Sequence, residues 1–398
     1  MPLARFPRKT HRFTVTSGES VRFSATQRPS SGSGGGVYLG TTSGSNVPSC
    51  VITGGKITGN QAGAEGGGIY SGSGGVVEVS GDTEISGNTA SGGGGVFGDV
   101  TLESGAIMNN TAGSNGGGVF GGVTMQGGAI SGNTAKSYGG GVYSALKSVT
   151  LNGGEVSGNT AAVGGGLCLG GTTILVDGGS ITGNHAVGTT YGGGAIGTLM
   201  SSSITIRSGT ISGNTSATTG GAITMGMFGS SFKLEGGEIS GNEAVGDGGG
   251  IYLGMCRNGF TMSGGSVSGN RAGGSGGGIG ISDSTTKQVY SGGSITGNTA
   301  AGNGGGIDLD DPALPFRAPI VYVERAGRIE YRPDVEFDDA EHVRRIINKI
   351  AEQSGKRCDD AHAMGCAMLP GGRARATYVV PPMNVSLQNI DKVSAELT

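Results

Sequence analysis

One phrase, Gly-Gly-x-(Ile/Val)-(Ser/Thr)-Gly-Asn, recurs through most of this chain, as "GGKITGN", "GGAISGN", "GGEVSGN", "GGSITGN", "GGEISGN" and "GGSVSGN". Its asparagines fall at Asn60, Asn88, Asn110, Asn133, Asn159, Asn184, Asn214, Asn242, Asn270 and Asn298. Successive spacings are 28, 22, 23, 26, 25, 30, 28, 28 and 28 residues. A unit this short cannot bury an apolar face by itself, so neighbouring units must stack on one another.

A second phrase follows most of the asparagines: "GGGIY" from Gly66 and Gly248, "GGGVF" from Gly116, "GGGVY" from Gly139. Between the two lies an alternating piece such as "VTLNGG", "ITIRSG" or "FTMSGG". Each repeat therefore offers three short strand candidates separated by glycine corners. The alternation has period two, with Phe260 and Met262 expected on one side and Thr261 and Ser263 on the other. No helical periodicity runs through these units. The expected fold is mostly β: a right-handed parallel β-helix over residues 32–311, preceded by a cap or lead over 1–31. About ten coils at ~4.8 Å each make a rod roughly 45–50 Å long.

Composition agrees. Glycine accounts for 89 of 398 residues, about three times the usual ~7%, without the strict every-third-residue period of collagen. Proline is absent from residues 49 to 311, as required where every coil donates backbone N–H groups to the next. Coil length varies largely at one corner, for example through "LGMCRN" after "GGGIY". Loops are therefore expected on one side of the rod, where a host surface or glycan would be met.

The rod offers little chemistry. The asparagine column reads as a structural ladder, since buried corner backbone must find partners. Gly93, Gly95 and Gly98 fit G-x-G-x-x-G, but no helix follows to hold a phosphate, and matches by chance are expected at this glycine content. The acids are scattered over Asp82, Glu84, Asp99, Glu103, Glu155, Asp177, Glu235, Glu238, Glu243, Asp247 and Asp283. Asp308, Asp310 and Asp311 cluster at the rod's end as a capping turn, and His185 stands alone. No catalytic, cofactor-binding or metal residue is expected, and no cofactor.

The repeats resemble those of polymorphic outer membrane proteins and related bacterial β-helix adhesins. "GGAI" occurs at Gly127–Ile130, Gly193–Ile196 and Gly220–Ile223. The resemblance covers residues 32–308 and implies a cell-surface or secreted passenger. In that family a secretion signal and a C-terminal translocator barrel accompany the repeats. Here the N-terminus "MPLARFPRKTHRFTV" is basic but has no apolar run behind it.

At "DDPALPFRAP" the composition changes. Residues 319–398 hold 11 of the 26 Lys+Arg and 12 of the 29 Asp+Glu, but only 5 of the 89 glycines. Pro312, Pro315 and Pro319 mark a linker over 312–319. A hairpin is expected at "IVYVERAGRIEY", turning at Arg325, Ala326 and Gly327. A helix follows from Asp338 as N-cap, with Glu341 behind it, a stripe of Val343, Ile346, Ile347 and Ile350, and a stop at Gly355. "AMLPGGRARATYVVPP" supplies two more strands. The expectation is a small α+β domain over 320–392 with a tail at 393–398.

"VYVERAGRIEY", "GKR-x-D" at Gly355–Asp359 and "LPGG…PP" resemble the N-terminal domain of type II/IV secretion (Tad/Flp pilus-assembly) ATPases. That resemblance implies contacts with secretion machinery. Met368 stands where the family's first strand arginine belongs and Asp391 replaces a later one. No G-x-x-x-x-G-K-[ST] occurs, so ATP hydrolysis by that mechanism is not expected. Cys358, His362 and Cys366 have metal-like spacing but offer only three ligands.

With Cys50, Cys168 and Cys256, the five cysteines make no readable disulfide framework. A net charge of −3 gives no case for nucleic acid, and no stretch approaches the ~18 apolar residues of a spanning helix. The sequence thus points to a non-enzymatic structural or adhesion-type bacterial surface protein. The alternatives are a secretion-machinery fragment acting through protein contacts and a glycan-processing β-helix enzyme.

Overall fold

The computed structural model describes residues 12–15, 32–40, 49–72, 75–226, 230–254, 256, 259–282 and 288–309, and the strands at 320–323, 329–332, 362–369 and 373–379. The repeats form a parallel β-solenoid. One coil shows the plan: Thr111–Ala112, Val119–Phe120, Val123–Met125 and Ala129–Ser131. There are four strands per coil rather than the expected three, because the two residues after the asparagine, Thr-Ala in five coils, make a short strand of their own. These strands build three parallel sheets of nine, eleven and seventeen strands. The nine are these two-residue strands (the Thr-Ala sheet, five of whose strands read Thr-Ala), the eleven begin on the aliphatic residue that closes the glycine phrase, and the seventeen are two rows meeting at a bend. In Thr173–Thr182 and Phe260–Ser268 one strand runs through that bend, with a register shift there.

Ten asparagine rungs bound nine complete turns, which matches the nine strands of the Thr-Ala sheet. The stack begins earlier than the sequence suggests, since Arg12–Val15 already pairs in register with Ser49–Ile52. Its last strand is Ile307–Leu309, paired with Ile279–Ile281.

Alternation sorts side chains as the pattern requires. Phe260 and Met262 are buried, Thr261 is half-buried and Ser263 exposed. Ile57, Ile85, Ile107, Ile130, Val156, Ile181, Ile211, Ile239 and Val267 form one inward column, all buried. Each such side chain contributes about 1.5–3 kcal/mol relative to exposure, and register keeps like on like down the rod.

The triple glycine has a steric cause. Gly66 has φ +69°, a left-handed conformation open to glycine. A Cβ on Gly67 would lie 2.3 Å from the Gly94 carbonyl oxygen of the next coil, and one on Gly68 2.7 Å from Gly95 O. Backbones therefore touch directly at this corner.

The asparagine column is a continuous buried ladder. Asn110 donates from its backbone N–H and from Nδ2 to Asn133 Oδ1, both at 3.0 Å. Asn133 repeats this toward Asn159 at 2.9 and 3.0 Å, and its Nδ2 also donates to Ile107 O at 2.9 Å. Each interior rung thus satisfies two backbone groups as well as its neighbours.

Insertions concentrate at the corner between the glycine-phrase strand and the next row, as expected. Only Gly98 separates Val96–Phe97 from Asp99–Leu102, whereas residues 282–287 separate Ile279–Ile281 from Gln288–Thr296. A second variable corner lies between His185–Ala186 and Ile196–Thr198. In the C-terminal segment, Ile320–Val323, Ile329–Arg332, Arg373–Val379 and His362–Leu369 pair antiparallel in that order. The strands expected there are present; the helix from Asp338 to Gly355 lies outside the described residues.

Candidate binding face

In the phrase Gly-Gly-Gly-(Ile/Val)-(Tyr/Phe), the aliphatic residue points into the rod and the next residue must point out. Register then stacks the outward residues: Tyr38 on Tyr70, Tyr70 on Phe97, Phe97 on Phe120, Phe120 on Tyr143, and Tyr143 on Cys168. Five consecutive coils therefore carry one aromatic column along the outer surface. Ring centroids are 5.1, 5.3, 4.8 and 4.9 Å apart down the column. Tyr38 is 49% exposed, and Tyr70, Phe97, Phe120 and Tyr143 are half-buried.

Ring orientation changes along the column. Tyr38, Tyr70 and Phe97 stack nearly parallel, at 7° and 12°. Phe120 is tilted 48° from Phe97 and stands at 88° to Tyr143, against which Tyr138 stacks at 5.9 Å. The parallel stacking of Tyr38, Tyr70 and Phe97 thus gives way to an edge contact at Phe120–Tyr143. Gly92 makes room for this, because a Cβ there would lie 3.3 Å from Phe120 Cδ1.

Polar groups border the column. Burial pushes the Glu65 carboxyl above its usual range. Burial, then the Glu65 charge and Tyr38, raise the Tyr70 hydroxyl. On the other border Asp99 Oδ1 accepts the Gly122 N–H at 2.9 Å and Oδ2 meets Lys147 Nζ at 3.1 Å. Asn115 Oδ1 is buried with no partner among the described residues.

Elsewhere on the rod some charges pair between coils: Lys56 with Glu84, Arg207 with Asp177 and Glu235, Arg271 with Glu243. His185 sits on the Thr-Ala sheet with Nδ1 2.8 Å from Thr215 Oγ1. The N–H groups of Gly93, Gly94 and Gly95 donate to Asn115, Gly116 and Gly117 carbonyls, so that glycine run holds the next coil rather than a phosphate. Asp308 lies in the last strand, whereas Asp310, Asp311 and Cys358 lie outside the described residues; His362 and Cys366 share one strand. Among the described residues no group of three or more His, Cys, Asp or Glu side chains gathers as a metal site.

The ten predicted asparagines are brought together, as one buried column. The aromatic column was not picked out by sequence reasoning, although its signal was present: the last letter of "GGGVY", "GGGIY", "GGGVF" and "GGGVF", then "GGGVY", read downward across repeats. Compared with protein-family models, curated proteins and solved structures, the chain matches none.

Proposed function

We propose that this chain is a non-enzymatic, adhesion-type surface rod that uses the aromatic column as its contact face. The observation carrying this reading is the outward run Tyr38, Tyr70, Phe97, Phe120 and Tyr143, in register over five coils. A contiguous column of aromatic rings left partly accessible on the outer face, with Tyr38 49% exposed, marks an interaction site. The motif resemblance of residues 32–308 to polymorphic outer membrane proteins supports a surface location. The carboxylates of Glu84, Asp177, Glu235 and Glu243 are engaged by cations of the adjacent coil, and Asp99 by Lys147 two coils on, which favours scaffold over catalysis.

The test is adhesion of beads coated with the full chain to cell and matrix surfaces, alongside fractionation of the source organism. A F97A/F120A/Y143A variant with an unchanged circular-dichroism spectrum is expected to lose at least tenfold in retained beads. Adhesion unaffected by the triple variant, or an intact chain confined to the cytosol, overturns the reading.

A further inference from the structure

We infer that the ligand of the aromatic column is an extended β-linked polysaccharide, neutral or bearing amino groups, lying parallel to the rod axis. This rests on the adhesive reading above and specifies its ligand.

Periodicity selects the class. The rings repeat every 4.8–5.3 Å, one per coil, for five coils. An extended peptide advances ~3.3 Å per residue and returns a side chain to the same face every ~6.6 Å, so it drifts out of step within two rings. A β-linked pyranose chain advances by about one coil per sugar and keeps step. Its units carry C–H groups for the half-buried rings of Phe97 and Phe120, and hydroxyls for the phenol groups of Tyr38, Tyr70 and Tyr143.

Charge narrows the class further. Glu65 borders the column with a carboxylate, and Asp99 borders it with a carboxylate already met by Lys147 at 3.1 Å. Lys147 is the cation at this border and is engaged. A uronic-acid or sulfated chain would bring like charge to Glu65, whereas an amino group would complement it and the ring faces.

The experiment is titration calorimetry of the full chain with pentamers of N-acetylglucosamine, glucosamine and β-1,4-glucose, and with tetragalacturonate and maltopentaose as comparisons. The β-linked pentamers are expected to bind, with a disaccharide at least tenfold weaker. Phe120→Ala and Tyr70→Ala should each weaken binding fivefold or more, while Thr89→Ala on the Thr-Ala sheet leaves it unchanged. Glu65→Gln should weaken the glucosamine pentamer more than the acetylated one. Absence of binding to every β-linked pentamer, tighter binding of tetragalacturonate, or equal loss in Thr89→Ala overturns the assignment. If the triple variant abolishes bead adhesion but no pentamer binds or competes, the polysaccharide falls and the contact face stands. If adhesion ignores the column, the reading beneath it falls as well.

Discussion

Replacing Asn133 by alanine tests whether the ladder holds the rod together. Four hydrogen bonds involve its side chain: Oδ1 accepts from Asn110 N and Nδ2, and Nδ2 donates to Ile107 O and Asn159 Oδ1. Truncation orphans the Asn110 N–H and one Asn110 amide hydrogen inside a rung that is 0% exposed. It also takes one bond from the Ile107 carbonyl, which the parallel pairing of Ala106–Met108 with Ala129–Ser131 still engages. Asn159 Oδ1 keeps the backbone N–H of residue 133. Two orphaned groups at ~1–3 kcal/mol each, partly relieved by a trapped water, together with the bond lost at Ile107, give a loss of about 3–5 kcal/mol. Asn60 supplies an internal comparison. Its Nδ2 makes one bond, to Asn88 Oδ1, and its Oδ1 has no partner among the described residues, so Asn60→Ala should cost about 1 kcal/mol. Urea unfolding of the two variants, followed by circular dichroism, reads the difference directly. If Asn133→Ala and Asn60→Ala fall within about 1 kcal/mol of each other, the ladder is decoration and the stability resides in the aliphatic columns.

Four further outcomes are expected. Gly67→Ala should destabilise by at least about 2 kcal/mol, because its Cβ would meet Gly94 O at 2.3 Å. Gly87→Asn should stay within about 1 kcal/mol, because the site has φ +62° with open space and Asn109 holds the same place one coil on at φ +54°; both are read from urea midpoints. Hydrogen bonds from Lys56 and Ser86 hold the Glu84 carboxyl below its usual range, so its contribution is present above the unfolded-state value and is lost as pH falls through the lowered one. Glu65 is raised, so stability gains as pH falls through its range, and Glu65→Gln should remove that gain from an acid melting series while leaving the Glu84 loss. Burial raises the Cys50 thiol to about 12 and the Cys256 thiol to about 11, with Cys168 also raised. In a C358S/C366S variant at pH 8, thiol reagent should label none of the three until denaturant is added.

What the sequence shows plainly is whatever repeats in the residues themselves. The asparagine spacing, the Phe260–Met262 alternation and the missing prolines each reflect a constraint every coil must meet, so the solenoid was legible before its structure. The two-residue strand of Thr111–Ala112 was not, because pairing that short leaves no alternation to read and exists only by stacking against Thr89–Ala90 and Thr134–Ala135. The early start of the stack at Arg12–Val15 was hidden for a related reason: that strand carries none of the glycine phrase and belongs to the rod by register alone.

The aromatic column was overlooked from a different cause, and that cause bears on what the column is for. Inward positions are constrained at every coil, which is why isoleucine and valine recur throughout the rod. The outward position after them is free: it is aromatic from Tyr38 to Tyr143, then Cys168, Gly197, Thr224, Tyr252 and Gly280 down the same sheet. Packing of the solenoid therefore tolerates small and polar residues at this position. Five rings gathered at one end are not demanded by the fold, since the same backbone closes as well over Gly197 and Gly280. Stacking between rings gives about 0.5–1.5 kcal/mol per pair, a modest gain set beside the cost of an apolar strip left partly in water. That asymmetry, a run of rings where the fold asks for none, is why the column rather than the asparagine ladder is the place to look for a ligand.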